Sequence, residues 1–386
     1  MRTCVQAATD RKRMQQKRSK STKFTIEQAR RKSIIKLTTN MMTFALARPP
    51  PPQIKRENKD SATTDKPLPK TLDLPLYLGL PEYEEVPQAS IEAVDPSLVG
   101  TSVGYIRDTL IKFGVSPGYV GHFSICLLSS DSFLCSMYTS LQRCTAKDRS
   151  VMSAGTLPKE IIMTTDDINC VLPTHMMAVH GPRPTNEPEA KTKVTLYPVH
   201  SLILAAYCAK LPAFPPPEVA DPIETPTSRI FTLPTRPLYL HSPQTFSAIL
   251  EYLYLRSPDI LLQRLIPLPI PMVMVHKQEQ HASLAQYIGN RLSVPALFCQ
   301  VSVVHGIWQN TCALGIFDDH LWGVISFAWK LAVTSLAVAT KKPGVFEAYE
   351  RYERRFVVDN DTEEEESSEE EEEEEEDDNN NNDDNE

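Results

Sequence analysis

Three sets of residues have side chains that could do covalent or metal chemistry. Gly100-Thr101-Ser102-Val103-Gly104 matches G-x-S-x-G, a turn that presents a serine nucleophile when it joins a buried strand to a helix. Cys299, His305, Cys312 and His320 could be drawn together as a Cys/His metal set. His200 stands where a strand-like run meets a helix-like run, a position from which an imidazole can serve as a general base. Each has a plainer competitor. Asp95-Pro96-Ser97, ahead of Ser102, reads as a turn or helix cap with no strand before it, so the serine motif reads as a chance match. The Cys/His spacings fit no zinc finger. The eight cysteines, Cys4, Cys126, Cys135, Cys144, Cys170, Cys208, Cys299 and Cys312, are scattered and form no C-x-x-C; they read as buried free thiols of a reducing compartment. His200 is expected to donate a structural hydrogen bond to backbone. No enzyme, cofactor or metal is therefore expected, and a hydrolase using Ser102 is the distant alternative.

The elements that must position these groups can be read from pattern. The 13 Gly and 32 Pro invert the usual ratio, and neither G-x-G-x-x-G nor G-x-x-x-x-G-K-[ST] occurs, which argues against dinucleotide and P-loop folds. Val103, Ile106, Leu110 and Phe113 fall at helical spacing with Gly114 as the stop. Residues 174–181 and 193–198 read as two strands, 200–211 as a short apolar helix, 237–241 as another strand. Ser242-Pro243 opens a helix whose inner face is Phe246, Ile249, Leu250, Leu253 and Tyr254, and Ser257-Pro258 opens the next. Further helices are expected over Leu284–Arg291, Ala296–Gly306 and Asp318–Ala339, the last with Leu321, Trp322, Ile325, Trp329 and Val333 on one face. Its apolar stretch is interrupted by Lys330, so no membrane span or membrane partner is expected.

Charge divides the chain. Residues 1–60 hold 16 Lys/Arg against 4 Asp/Glu, whereas 359–386 hold 19 Asp/Glu and no Lys or Arg. The body between is nearly neutral. This predicts a disordered basic arm over 1–48, a Pro-rich linker over 49–94, and a helix followed by an aperiodic Ser/Cys-rich insertion or retained intron over 95–155. An α+β domain over 156–266, a helical region over 267–343 and a disordered acidic tail over 344–386 follow. Arg11, Lys12, Arg13 and Lys17, Arg18, Lys20 form two clusters like a bipartite nuclear import signal. Ser33, after Arg30-Arg31-Lys32, suits a basophilic kinase, and Ser367 and Ser368, before carboxylates, suit an acid-directed one.

Two resemblances enter on specific words. Residues 193–206, KVTLYPVH followed by ILAA, and the helix Ser242–Tyr254 resemble the BTB/POZ signature over roughly 90 residues. That resemblance implies a small strand–helix core with homodimerisation left open, and raises the alternative of a ubiquitin-ligase substrate adaptor. A broader resemblance runs through 95–114 and 156–340. Thr156-Leu157-Pro158-Lys159-Glu160, Leu172-Pro173-Thr174-His175-Met176, VHGIWQN at 304–310 and CALGIFDD at 312–319 look like the clampless-type proteins of fungi. The resemblance implies a nuclear, non-catalytic regulator of sexual development, acting in clamp-cell formation and dikaryon maintenance through transcription regulators or other nuclear proteins. Trp308, Asp318, Asp319 and Trp322 are its candidate interaction residues. The acidic tail is expected to engage basic partners; direct contact of the arm with nucleic acid is left open.

Overall fold

The computed structural model describes residues 41–45, 71–113, 133–146, 157–168, 170–183, 192–216, 222–266, 268–269, 274–275, 277–342, 344–349 and 351. It is an α+β fold. At its N-terminal side β1 (Met41–Ala45) pairs antiparallel with β2 (Thr71–Pro75), Met41 facing Pro75 and Ala45 facing Thr71. Phe44 is fully buried. So a strand lies inside the stretch read as a disordered arm. The linker reading fails from residue 71 onward for a similar reason: Leu72, Leu74, Leu76 and Leu78 alternate with Asp73, Pro75 and Tyr77, and the last three leucines are buried. That period of two outweighs the prolines around it. The segment continues as a strap across the helices, through Val86 to α1 (Gln88–Val94), whose Ile91 is fully buried.

A short 3-10 turn at Pro96–Leu98 leads to α2 (Val103–Phe113), with Val103, Ile106 and Leu110 turned inward as expected. Within the stretch read as aperiodic, α3 (Phe133–Arg143) is a regular helix that buries Met137 and Leu141. It is followed by β3 (Thr145–Ala146), which pairs with β4 (Glu160–Thr165). Residues 133–146 are therefore part of the fold.

The central sheet holds the expected strand, strand, helix, strand order. β5 (His175–His180) and β6 (Val194–Val199) form an antiparallel pair, α4 (Ser201–Tyr207) follows, and β7 (Ile223–Glu224) precedes β8 (Arg229–Tyr239). The strand order is β3-β4-β8-β5-β6, with β7 beside the start of β8. β8 is longer than the strand read at 237–241 and changes partners along its length. Residues 229–234 run antiparallel to β4, and Thr235–Tyr239 run parallel to β5. Pro234 and Pro237 each lack an N–H, which suits a strand that changes partner here. β4 itself was not anticipated; Ile161 and Met163 point inward while Ile162 stays exposed.

α5 (Phe246–Leu255) and α6 (Pro258–Leu265) form a hairpin tied by the Arg264–Glu251 ion pair. The remaining helices are α7 (His281–Arg291), α8 (Val294–Leu314) and α9 (Asp319–Ala339). α8 runs eight residues past the stop expected at Gly306, because that glycine marks a close approach and the true cap is Gly315, left-handed at φ 66°. α9 is, among the described residues, the one helix long and apolar enough to cross a membrane, with a mean hydropathy of 1.6. Its surface is already used: Leu321, Ile325, Trp329, Val333 and Leu336 are buried against α6, α7 and α8. One apolar cluster extends from Phe44 through both regions to Val345 and Tyr349 in the helical turn over 344–349, so the chain packs past the start expected for its acidic tail.

Candidate functional site

Ser102, His305 and His200 each have a structural occupation. Ser102 follows the 3-10 turn and accepts the Tyr105 N–H at 3.3 Å on Oγ, which makes it a cap of α2. No described strand leads into it, so the nucleophile-elbow geometry is missing. Cys299, His305 and Cys312 share α8 and His320 lies on α9, and no three metal-ligating side chains converge among the described residues. His305 packs tilted against Trp308 and Trp329, at 5.2 and 6.0 Å between ring centroids. The thiol expectation holds for Cys170 and Cys208, but Cys299 is exposed. Burial pushes the Cys144 and Cys208 thiols up to about 12, so neither is a nucleophile at neutral pH.

His200 does what a junction histidine was expected to do. It is buried, and Nε2 lies 3.3 Å from the Val171 carbonyl. That oxygen can only accept, so Nε2 carries the proton and Nδ1 accepts from the Tyr254 hydroxyl at 2.9 Å. The same hydroxyl oxygen receives the His200 N–H at 2.9 Å. Burial lowers the imidazole to about 4. It stays neutral at pH 7, fully hydrogen-bonded and closed to solvent.

The three tryptophans act as staples. Trp329 donates to the Pro75 carbonyl at 3.2 Å and Trp308 to the Gly79 carbonyl at 2.7 Å. Tyr349 donates to the Leu76 carbonyl between them. The strap, which has few ladder partners for its backbone, thus has its carbonyls satisfied by aromatic donors. Trp322 donates to Ile316 at 3.0 Å, closing the turn between α8 and α9.

Asp318 is the most heavily engaged side chain in that turn. It caps α9 by accepting the Leu321 N–H at 2.9 Å, accepts the Tyr252 hydroxyl at 2.6 Å, and pairs with Arg256. Arg256 ends α5 in the left-handed region and lies over the rings of Tyr207 and Tyr252 at 4.5 and 5.1 Å. Arg107 of α2 also lies over the Tyr207 ring, at 5.5 Å, and donates to the Ala206 carbonyl at 2.6 Å. Burial would raise the Asp318 carboxyl, but the Arg256 guanidinium, the Tyr252 hydroxyl and the Leu321 amide outweigh it and hold it below the usual range. α2, α4, α5 and α9 meet at this ionic knot.

Residues 81–271 match the family model of the clampless protein 1 N-terminal domain, and residues 259–382 match that of its C-terminal domain. The chain belongs to the clampless-type family. Membership links it to fungal clamp-cell development. No curated protein and no solved structure matches the chain. The clampless words at 304–310 and 312–319 coincide with the junctions just described. In the first, Asn310 is fully buried and clasps the start of the α5 segment, accepting from Ser242 N at 3.2 Å and donating to Ser242 O at 2.6 Å and Thr245 Oγ1 at 2.8 Å. Gly306 sits one turn earlier on the same side, where an added Cβ would meet Ser242 Oγ at 2.4 Å. In the second, Gly315 and Leu314 carbonyls accept from Ala209 and Lys210 at 3.1 Å each.

Of the four candidate interaction residues of this clampless chain, Asp318 and Trp322 are committed to internal contacts and Trp308 is half-buried on the strap. Asp319 faces outward on the first turn of α9. The import residues Arg11, Lys12, Arg13, Lys17, Arg18 and Lys20, together with Ser33, Ser367 and Ser368, lie outside the described residues. Sequence reasoning missed Arg107, Tyr207, Tyr252, Arg256 and Asn310. Only Asn310 carried a signal, a polar residue on the apolar side of a helix; the others come from three helices that meet at Asp318.

Proposed function

We propose that this clampless-family chain is a nuclear, non-catalytic adaptor of fungal sexual development, which supports clamp-cell formation and dikaryon maintenance by binding mating-pathway transcription regulators. The observation that carries the reading is the pair of clampless matches, which together run from residue 81 to residue 382. Two further features support it. The basic clusters at 11–13 and 17–20 have the spacing of an import signal. Ser102 and His200, the residues best suited to nucleophilic catalysis by type, are occupied as a helix cap and a buried hydrogen-bonded imidazole.

Affinity purification from mating cells tests the reading, comparing the full chain with one ending at Arg351. An earlier end would strip Val345 and Tyr349 from the core. Recovery of mating-pathway transcription regulators with both forms would assign binding to the folded body. Recovery with the full chain alone would assign it to the acidic segment. If neither form recovers a nuclear partner, the adaptor reading fails.

A further inference from the structure

A hydroxyl residue is followed directly by proline at four places in the chain: Ser116-Pro117, Thr225-Pro226, Ser242-Pro243 and Ser257-Pro258. Proline holds the residue before it extended and brings no N–H of its own to bury, the two features a proline-directed kinase reads beside its acceptor. Ser116 lies outside the described residues. Ser242 and Ser257 are built into helix starts. Ser242 is buried, its backbone is clasped by Asn310, and its proline opens a 3-10 turn into α5. Ser257 caps α6 by accepting the Ile260 N–H on Oγ, and Pro258 is the first residue of that helix. Drawing out the residues after either serine would unwind a packed helix.

Thr225 stands instead in the hairpin turn between β7 and β8, where Pro226 and Thr227 are exposed. Both residues of β7 are exposed, Ile223 at 66 %, and their register partners are Ile230 and Arg229 of β8. Local opening here uncovers no core side chain of β7, so it is among the cheaper fluctuations of the fold. The Thr225 hydroxyl closes the turn. It donates to the Ser228 carbonyl at 2.8 Å, and accepts the Ser228 N–H at 3.0 Å and the Ser228 hydroxyl at 2.8 Å. The same carbonyl receives the Thr225 N–H at 2.8 Å, the bond that returns the chain onto β8. Beside it Glu224 pairs with Arg229 at 3.3 Å.

We propose that Thr225 is the acceptor of a proline-directed serine/threonine kinase, and that phosphate on it releases β7 from β8. The kinase supplies ATP as phosphoryl donor. The Oγ1–H proton leaves to the kinase's base, an O–P bond forms at Oγ1, the bond from the γ-phosphorus to the β,γ-bridging oxygen breaks, and ADP departs. The ester oxygen then has no proton, so at 2.8 Å it meets the Ser228 carbonyl as acceptor against acceptor. The Ser228 N–H and hydroxyl can follow the phosphate oxygens, but the carbonyl must turn away, and the Thr225 N–H loses its partner with it. The phosphate also places a charge of about −1.5 to −2 beside Glu224 and competes with that carboxylate for Arg229. The assignment rests on the hairpin and holds whether or not the adaptor reading does.

The test incubates the full chain with a recombinant kinase of the cyclin-dependent class and ATP, beside free peptides spanning 219–231 and 251–263, and maps phosphate by mass spectrometry. Thr225 should be modified on the folded chain at a rate within about tenfold of its peptide, and Ser257 about a hundredfold more slowly than its own. Hydrogen exchange then compares the phosphorylated and unmodified chains. The amides of 223–225 should exchange about tenfold faster with phosphate in place, while those of α5 and α6 keep their protection. Thr225→Ser should reproduce both results. Thr225→Val should take no phosphate at this position and should speed the same amides through loss of the hydroxyl. A folded chain left unmodified at Thr225 would overturn the proposal, and so would modification that leaves the 223–225 amides unchanged.

Discussion

Replacing Tyr254 by Phe deletes one oxygen atom and almost no volume, yet it should cost a large share of the protein's stability. That oxygen accepts the His200 backbone N–H and donates to His200 Nδ1, both at 2.9 Å. Tyr254 is fully buried and His200 nearly so, so water does not replace either bond. A buried group stripped of its partner costs about 1–3 kcal/mol. Two such groups give roughly 2–6 kcal/mol, against a total of about 5–15 kcal/mol for a typical domain. His200→Ala should cost about 1–3 kcal/mol by orphaning the Val171 carbonyl and one side of the Tyr254 hydroxyl. The double variant should cost less than the sum by about 1 kcal/mol or more, since Nδ1 is then gone before it can be orphaned. Urea unfolding of all four proteins, followed by tryptophan fluorescence, measures each term. A Tyr254→Phe variant within about 0.5 kcal/mol of the parent would refute the hydrogen-bond assignment.

Other expectations follow from single contacts. Asp318→Asn leaves Arg256 without its counter-charge and should destabilise by about 3 kcal/mol, read by the same urea unfolding, with a far smaller loss if the pair is solvated. Gly306→Ala should destabilise by roughly 1–3 kcal/mol despite alanine's better helix propensity, because the new Cβ would lie 2.4 Å from Ser242 Oγ; a stabilised variant would show that the α8–α5 approach is looser than described. Acid should weaken the fold early. Burial lowers His200 and His175 to about 4, so the unfolded chain binds more protons below about 6.5 and stability must fall between there and about 4. A thermal midpoint flat across that window would contradict their buried, neutral state. Finally, a fluorophosphonate probe should leave Ser102 unlabelled, and labelling there would reopen the hydrolase reading.

The helical face of α9 and the N-cap of α6 were legible because a periodic apolar stripe and a Ser-Pro entry are local signals. His200 was legible for the same reason, as the residue at a strand–helix joint. The strap was not, although its alternating leucines were in plain view, because proline-rich surroundings suggested a spacer. The length of α8 was misread at Gly306, whose role depends on Ser242, a residue more than sixty positions away. The ionic knot around Asp318 was visible only as one aspartate of a family word. Its partners Arg107, Tyr207, Tyr252 and Arg256 come from three other helices, and no spacing rule brings such residues together before the fold does.

The strap also imposes an order in time. Pro75 waits for Trp329, 254 residues later, Leu76 for Tyr349, 273 later, and Gly79 for Trp308, 229 later. At about 5–20 residues per second of synthesis, the interval between the emergence of a strap residue and that of its partner is roughly 10–50 s. Through that interval the row of Leu74, Leu76 and Leu78 lacks the late helices that complete its cluster. A newly made chain is therefore exposed to aggregation at the strap, and chaperone binding during synthesis should concentrate on residues 71–80. Helices made late in the chain close a strand made early.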